Sequence, residues 1–382
     1  MTPFAFLHST RRVACAPGAL GQLADLAKDR AAPAVILDPF FDTAAMRDRL
    51  QRLLGATTRF HAVPAHEPDT DVVEACRAFL AAAPFDLLVT IGGGSAMDAA
   101  KVARMLISNP GDIRAIAGPV GVVMAPHPSL FVCVPTTAGT GSEVSESAVI
   151  SAAGETYKLI FRSPEMTASV ALLDPELSVS APRSVTAASG YDAMTHAVEA
   201  YTAKTANPMT DPIALAAIET LWHALPRACE QPGDLDARAA CLVASTQAAI
   251  AFNSANLGLA HAISGALGAL HHVGHGLGNA LALPWTMAFN QPALGAKGDR
   301  LAAIFGAPTA AAGLARLRER VGLDVSLDSV LPPGADLDAI ASGASRSGQV
   351  RVNPRTPTIE QIRAILEAMR HPTAGADPHP VA

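Results

Sequence analysis

Three histidines and one aspartate in the second half of the chain are of the types that bind divalent metals. Asp192 and His196 stand four positions apart in the segment GYDAMTHAVEAY, a spacing that puts both side chains on one face of a helix. His261 and His275 follow in an apolar, glycine-rich stretch. One carboxylate with three imidazoles and no thiolate suits Fe(II), Zn(II), Mn(II) or Co(II). The same residues could also be hydrogen-bonded core histidines, because spacing does not show which helices face one another.

A glycine-rich turn in the first half could bind a phosphate. An apolar run at 86–91, predicted to be a strand, leads into Gly92, Gly93, Gly94 and Ser95, and a helical pattern follows. Backbone N–H groups and the helix dipole make such a helix start attractive to anions, and glycines let the backbone approach a phosphate closely. A tight turn that binds nothing shows the same pattern, so the turn alone does not identify a site.

Two further features favour a dinucleotide. Asp38 ends the apolar run 34–37, where a carboxylate could accept hydrogen bonds from ribose hydroxyls and repel the 2′-phosphate of NADP. A helix N-cap is the alternative role for such an aspartate. The segment 135–143, PTTAGTGSE, follows another apolar run and offers several hydroxyls and free N–H groups. It could hold a ribose or a nicotinamide amide.

The predicted secondary structure differs between the two halves of the chain that carry these residues. The first half alternates apolar runs with helical patterns, which predicts a parallel sheet with helical crossovers. The predicted strands are 34–37, 86–91, 120–124 and 131–134, and helical patterns include 43–54 and 71–82. The second half shows helical spacing at 184–202, 211–228, 236–253, 257–270, 299–305, 309–321, 336–345 and 358–369. We therefore predict an α/β domain with a Rossmann-like parallel sheet at 1–182 and an all-α domain at 183–382, ending in a frayed tail at 372–382.

Composition excludes several classes of protein. The 382 residues are 50% hydrophobic and 16% charged, with a formal net charge of −6, so a disordered chain and an electrostatic nucleic-acid binder are not expected. No stretch has the length of apolar residues that a membrane helix needs. The five cysteines form no CxxC pair and predict reduced thiols, and the N-terminus lacks the residue order of a secretory signal. We expect a cytoplasmic protein.

Six short motifs, taken in their order along the chain, resemble the motifs of one protein family. They are GGGSAMDAAK at 92–101, VPTTAGTGSEVS at 134–145, LLDPELS at 172–178, GYDAMTHAVEAY at 190–201, GLAHAISGALGALHHVGHGLGNALALP at 258–284 and VNPR at 352–355. From about residue 4 to residue 369, the chain resembles the iron-containing (group III) alcohol dehydrogenases, which have the dehydroquinate-synthase-like fold. The resemblance implies a two-domain enzyme with its active site in the interdomain cleft. It also implies an NAD(P)-linked reaction, reversible hydride transfer between a small primary alcohol and the cofactor, with NAD favoured over NADP.

The resemblance assigns roles to individual residues. The implied metal ligands are Asp192, His196, His261 and His275, with Fe(II) expected first and Zn(II) or Mn(II) as alternatives. The implied cofactor-binding residues are Asp38, Gly93, Gly94, Ser95, Asp98, Thr136, Thr137, Lys158 and Leu177. The expected partners are an alcohol or aldehyde substrate and further copies of the chain, in a homodimer or a larger homo-oligomer.

One position departs from the family pattern. Many relatives carry a second histidine four residues after the position of His261, whereas this chain has Gly265. We hypothesise that His271 or His272 takes over a proton relay or contacts the substrate, although a loop or surface histidine is an equal alternative. The alternative functions are reduction of a polar or anionic aldehyde, of the hydroxy-acid, phosphonate or sulfonate type, and a lyase-like or non-catalytic relative that keeps NAD and metal.

Overall fold

The structure, a computed structural model, describes residue 7 and residues 9–118, 124–155 and 157–370. The tail predicted at 372–382 lies outside these residues, as does the strand predicted at 120–124 except for its last position. The chain divides into two compact units: a first unit within 8–180, and a second within 181–382 that also includes Leu7. None of the described helices is long and apolar enough to cross a membrane.

A parallel six-stranded sheet forms the centre of the first unit, in the order β1-β8-β5-β4-β2-β3. Its strands are β1 (Arg12–Cys15), β2 (Pro33–Leu37), β3 (Arg59–Ala62), β4 (Leu87–Gly92), β5 (Leu130–Pro135) and β8 (Val170–Leu173). An antiparallel pair consists of β6 (Ser147–Ser151) and β7 (Lys158–Arg162). The helices are α1 (Leu23–Ala27), α2 (Ala44–Leu54), α3 (Thr70–Ala81), α4 (Gly94–Ser108) and α5 (Ile113–Ile116).

The central strands are apolar on both faces because helices cover both sides of the sheet. In β4, Leu87, Val89 and Ile91 point into one hydrophobic cluster, and Leu88 points into the other. Burial of each such side chain stabilises the fold by about 1.5–3 kcal/mol. Continuous apolar runs are typical of parallel strands buried in this way. The strands predicted at 34–37, 86–91 and 131–134 are therefore confirmed, and so is the α/β class of this half.

Several short strands were not predicted. Strands β1, β3 and β8 have four residues each, and a segment that short does not reveal a period of two. Strands β1 and β3 also lie at the two edges of the sheet and are only partly buried. Their sequences consequently lack the continuous apolar character of the central strands.

Helices make up the described regular structure of the second unit, apart from short 3-10 turns, which confirms the all-α expectation. They are α6 (Arg183–Thr202), α7 (Asp211–Glu230), α8 (Leu235–Ala255), α9 (Leu259–His271), α10 (His275–Leu294), α11 (Ala296–Phe305), α12 (Ala310–Val321), α13 (Leu337–Ser345) and α14 (Ile359–Met369). All eight helices predicted here are present, with bounds within three residues of those predicted.

In the second unit, the helix that was not predicted from the sequence is α10. It contains Pro284 and Pro292, and prolines inside a helix remove a backbone hydrogen bond and usually indicate a break. Most of the helix is buried, so it also lacks the polar face that reveals a surface helix. Before it, α9 ends at His271, and the C-cap His272 adopts the left-handed conformation with φ 55°.

Candidate functional site

The first unit contains a topological switch point at the carboxyl ends of β2 and β4. These strands are neighbours, yet the chain leaves β2 toward β3 on one side and leaves β4 toward β5 on the other. In open parallel sheets, ligands bind in the crevice at such a point. Asp38 directly follows β2, and Gly93 and Gly94 directly follow β4. The sheet therefore brings together the predicted ribose and phosphate residues.

Close backbone approach explains the glycines of this turn. A Cβ atom added to Gly92 would lie 2.9 Å from the Asp38 Cβ, and one added to Gly94 would lie 2.6 Å from the Thr140 Cγ2. The Thr136 N–H donates to the Gly92 carbonyl at 3.0 Å. The glycine turn and the loop after β5 thus form one continuous surface. Ser95, in the first turn of α4, lies beside it.

Two charged residues of α4, the half-buried Asp98 and the fully buried Lys101, fasten the loop after β5. Asp98 accepts a hydrogen bond from the Ser142 hydroxyl at 2.6 Å and another from the Val149 N–H at 2.9 Å. Lys101 donates to the Ser145 carbonyl at 3.0 Å and to the Ser147 carbonyl at 3.1 Å. Burial raises the pKa of Asp98 and lowers the pKa of Lys101. Both carboxylate oxygens of Asp98 accept hydrogen bonds from the protein itself, and these hydrogen bonds position the loop.

The remaining predicted cofactor residues lie in different surroundings. A Cβ atom added to Gly93 would lie 3.3 Å from Thr137 Oγ1. Thr137 therefore belongs to the surface that the glycine turn and the loop after β5 form. Lys158, at the start of β7, pairs with Glu67 at 2.8 Å. Leu177 is 6% exposed and packs in the hydrophobic cluster on one face of the sheet.

The second unit contains a cluster of one carboxylate and three imidazoles. Asp192 and His196 lie on α6, His261 on α9, and His275 is the first residue of α10. One ligand atom from each residue lies within 4.8 Å of all the others. The Asp192 Oδ1 is 3.9 Å, 3.8 Å and 3.6 Å from the Nε2 atoms of His196, His261 and His275. The structure therefore brings all four predicted ligands together.

The cluster keeps its carboxylate ionised. Burial by itself raises the pKa of Asp192, but the three histidines and a hydrogen bond from Asn279 outweigh burial and hold that pKa below its usual range. An anionic oxygen surrounded by ring nitrogens is the donor set that a divalent cation prefers.

Glu199 fixes the orientation of His261. Its Oε2 accepts hydrogen bonds from His261 Nδ1 at 2.6 Å and from the Gly258 N–H at 2.8 Å, and its Oε1 accepts from the Ala260 N–H at 2.7 Å. With Nδ1 protonated, the lone pair of Nε2 faces the cluster. The sequence analysis missed Glu199. Its spacing of seven residues from Asp192, on the same helix face, is the signal that could have identified it.

Ser264 orients His275 in the same way. The Ser264 hydroxyl donates to the His275 carbonyl at 2.9 Å, and its oxygen lies 3.2 Å from His275 Nδ1. A hydroxyl has a single proton, so its oxygen accepts from Nδ1 and leaves the Nε2 lone pair directed at the cluster. This residue was also missed, because only the fold shows that α9 and α10 pack against each other.

The C-terminal motif VNPR supports the start of α9. Asn353 accepts a hydrogen bond from the Leu259 N–H at 3.1 Å and exchanges hydrogen bonds with Asn290 on α10. Arg355 donates to the Phe289 carbonyl at 2.6 Å. Asn353 and Glu199 together satisfy the first N–H groups of the helix that carries His261, groups that have no partner within a helix.

The two histidines proposed for a relay occupy the end of α9. His271 is its last residue, and His272 is an exposed C-cap in the left-handed conformation. At Gly265, an added Cβ would meet no described atom within 4 Å. The relay role of His271 or His272 stays a prediction.

Family models match most of the chain. The model "Iron-containing alcohol dehydrogenase" matches residues 10–175, and the model "Fe-containing alcohol dehydrogenase family, C-terminal" matches residues 186–370. Among curated relatives, the probable alcohol dehydrogenase EutG of Escherichia coli (strain K12) is 35% identical over 93% of this chain and 92% of its own length. The 1,3-propanediol dehydrogenase of Klebsiella pneumoniae is 35% identical over 80% of this chain and 81% of its own length.

Solved structures agree with the sequence comparison. A 1,3-propanediol oxidoreductase superposes with a TM-score of 0.88 at 30% identity, covering 96% of this chain and 100% of that chain. The sulfoacetaldehyde reductase from Bifidobacterium kashiwanohense, solved in complex with NAD+, gives a TM-score of 0.89 at 25% identity, covering 96% of this chain and 99% of that chain. The protein belongs to the iron-containing alcohol dehydrogenase family, whose members are metal-dependent oxidoreductases.

Proposed function

We propose that this enzyme transfers hydride reversibly between a small primary alcohol and NAD, with a divalent metal held by Asp192, His196, His261 and His275. The observation that carries the proposal is the convergence of one ionised carboxylate and three ring nitrogens within 4.8 Å. The donor set fits the metal, because no thiolate is present and two imidazoles have their Nδ1 atoms engaged elsewhere. Family membership favours Fe(II), and Zn(II) and Mn(II) accept the same donors.

The chain's own residues prepare the site for this reaction. A metal bound here supplies Lewis acidity that stabilises negative charge on the substrate oxygen, and NAD supplies the hydride acceptor. Asp192 contributes one negative charge to the cluster, and Glu199 contributes a second beside it. These two charges balance those of a divalent cation. Asp192, His196 and His261 are almost completely buried, which excludes water from their side of the cluster.

We place NAD on the first domain, 1–182, and the metal on the second, 183–382. The switch point between β2 and β4 supports the first placement, since Gly93, Gly94 and Ser95 offer N–H groups to a pyrophosphate. Thr136 and Thr137 border the same surface and are assigned to the nicotinamide side. Asp38 is assigned to the ribose hydroxyls.

Metal reconstitution tests the proposed reaction. Metal-free protein receives Fe(II), Zn(II), Mn(II) or no metal, and NADH absorbance is followed with a panel of alcohols and aldehydes. Metal-dependent NADH formation from primary alcohols supports the proposal. The panel includes anionic aldehydes, because one solved relative is a sulfoacetaldehyde reductase and because space is open at Gly265. Binding of metal and NAD without any redox turnover would contradict the proposal and favour a lyase-like or non-catalytic relative.

Asp38 is expected to set the preference for NAD. In Asp38→Ala, the loss of a charged hydrogen-bond acceptor lowers kcat/KM for NAD about tenfold to a hundredfold, and kcat/KM for NADP rises because the 2′-phosphate is no longer repelled. The ratio of the two values is the measurement. Asp48→Ala, an exposed aspartate on α2, is the matched control and keeps the parental ratio. An unchanged ratio in Asp38→Ala would remove this residue from the ribose site.

Glu199 is expected to control metal affinity. The amide of Glu199→Gln cannot accept from the Gly258 and Ala260 N–H groups and from His261 Nδ1 all at once, so His261 loses its fixed tautomer. We expect metal affinity to fall about 10- to 100-fold, as for other residues that orient metal ligands. Competition with a chromogenic chelator measures the affinity. Glu219→Gln, on the exposed surface of α7, serves as the control. Parental affinity in Glu199→Gln would show that His261 needs no such partner.

We further propose a cytoplasmic homodimer or larger homo-oligomer, as the family resemblance implies. Light scattering coupled to size-exclusion chromatography tests the assembly. A mass equal to that of the single 39.2 kDa chain would contradict it.

A further inference from the structure

We propose that Asn279 is a positioning residue that holds the metal ligands together in the metal-free chain and slows loss of the bound metal. The inference rests on the proposed function, because it presupposes that the cluster binds a metal.

Asn279 reaches the centre of the cluster from α10. It follows His275 by one helical turn, on the same face, and it is fully buried. Its Nδ2 lies 2.6 Å from Asp192 Oδ1, 3.1 Å from His261 Nε2 and 3.3 Å from His275 Nε2. One amide nitrogen therefore touches three of the four atoms that face the metal.

The neighbouring residues determine which atom donates and which accepts in these contacts. Glu199 accepts a hydrogen bond from His261 Nδ1–H, and Ser264 accepts one from His275 Nδ1–H, so both Nε2 atoms present lone pairs. The amide nitrogen carries two hydrogens and no free lone pair, and it can only donate. In the metal-free chain, Asn279 therefore offers two hydrogens to the three lone pairs that a metal would otherwise use.

The opposite orientation of the amide is unfavourable. It would place the amide oxygen beside Asp192 Oδ1, where two acceptors would repel each other across a distance of 2.6 Å. In the observed orientation, Asn279 Oδ1 is buried and has no hydrogen-bond partner among the described residues. Leaving a buried oxygen unpaired is costly, which indicates that the cluster requires the nitrogen side.

A bound metal would replace the contacts of Asn279 with the imidazoles but not its contact with Asp192. A bound metal would take the imidazole lone pairs, whereas Asp192 Oδ1 has a second lone pair that could still accept from Asn279. The carboxylate consequently keeps its orientation, and its rotation away from the metal has to break a buried hydrogen bond. Asn279 would thus oppose rotation of the Asp192 carboxylate away from a bound metal.

Release of Co(II) from the loaded protein tests the inference. Asn279→Leu keeps a similar shape without a donor, and Asn279→Ser keeps a short donor if the leucine variant does not fold. Thr286→Val is the matched control, since Thr286 is also buried on α10 but bonds only to the Leu283 carbonyl of its own helix. Excess chelator is added, and the visible bands of bound Co(II) are followed over time.

We expect Asn279→Leu to bind Co(II) about 10- to 100-fold more weakly and to release it faster by a similar factor, with Asn279→Ser between it and the parent. Thr286→Val is expected to release Co(II) at the parental rate. Parental release rates in a folded Asn279 variant would overturn the inference and leave the proposed function intact. If the parent itself binds no divalent metal, the proposed function fails instead.

Discussion

The His261→Ala variant is expected to oxidise alcohols about a thousandfold more slowly than the parent, because Lewis-acid stabilisation of the substrate oxygen is worth several kcal/mol and each 1.36 kcal/mol is tenfold in rate. The substitution removes one of the four ligand atoms and leaves Glu199 without its imidazole partner. The measurements are kcat and bound metal per chain after reconstitution. We expect both to fall together.

His223→Ala is the matched control for this experiment, since His223 is an exposed histidine on α7 in the same unit. It should keep the parental rate and metal content. Thermal melting of both variants separates loss of metal from loss of fold. Full turnover by His261→Ala, with metal absent, would contradict metal-dependent catalysis at this cluster.

The Gly276→Ala variant is expected to lose both stability and metal. A Cβ at this position would lie 2.4 Å from the Ala188 carbonyl oxygen, which is backbone of α6 and cannot rotate away. Relief of the overlap requires α10 to move from α6, at a cost of about 1–3 kcal/mol. His275 precedes this glycine, so the same movement draws its imidazole away from Asp192. The expected result is a lower melting temperature together with weaker metal binding.

Gly265→Ala is the matched control for stability, because it is also a helical glycine and its added Cβ meets open space. Its melting temperature should equal or exceed that of the parent, since alanine favours the helix by about 0.5–1 kcal/mol. Equal melting temperatures and metal affinities for Gly276→Ala and the parent would show that α10 adjusts without disturbing the cluster.

The amino-acid sequence predicted which residues would form a metal cluster, and the structure brings those four residues together. The spacing of Asp192 and His196 placed both on one helix face, and the structure confirms that placement. The apolar runs before Asp38 and Gly92 identified two strands whose carboxyl ends form the switch point. Such features are local, because backbone periodicity and strand ends depend on neighbouring residues. The α/β and all-α halves were predictable for the same reason.

The packing of the helices determined which of the predicted residues meet in space. Asp192 meets His261 and His275 because α6, α9 and α10 pack together. These histidines lie 69 and 83 positions after Asp192, and contacts at such separations leave no periodic signal in the sequence. The same packing brings Asn279 onto Asp192. Helix α10 itself was not predicted because its two prolines disfavour a helix locally. Burial in the core stabilises the helix despite them. Local chemistry thus predicted the candidate ligands, whereas the long-range burial of apolar helices determined that they meet and which side chains orient them.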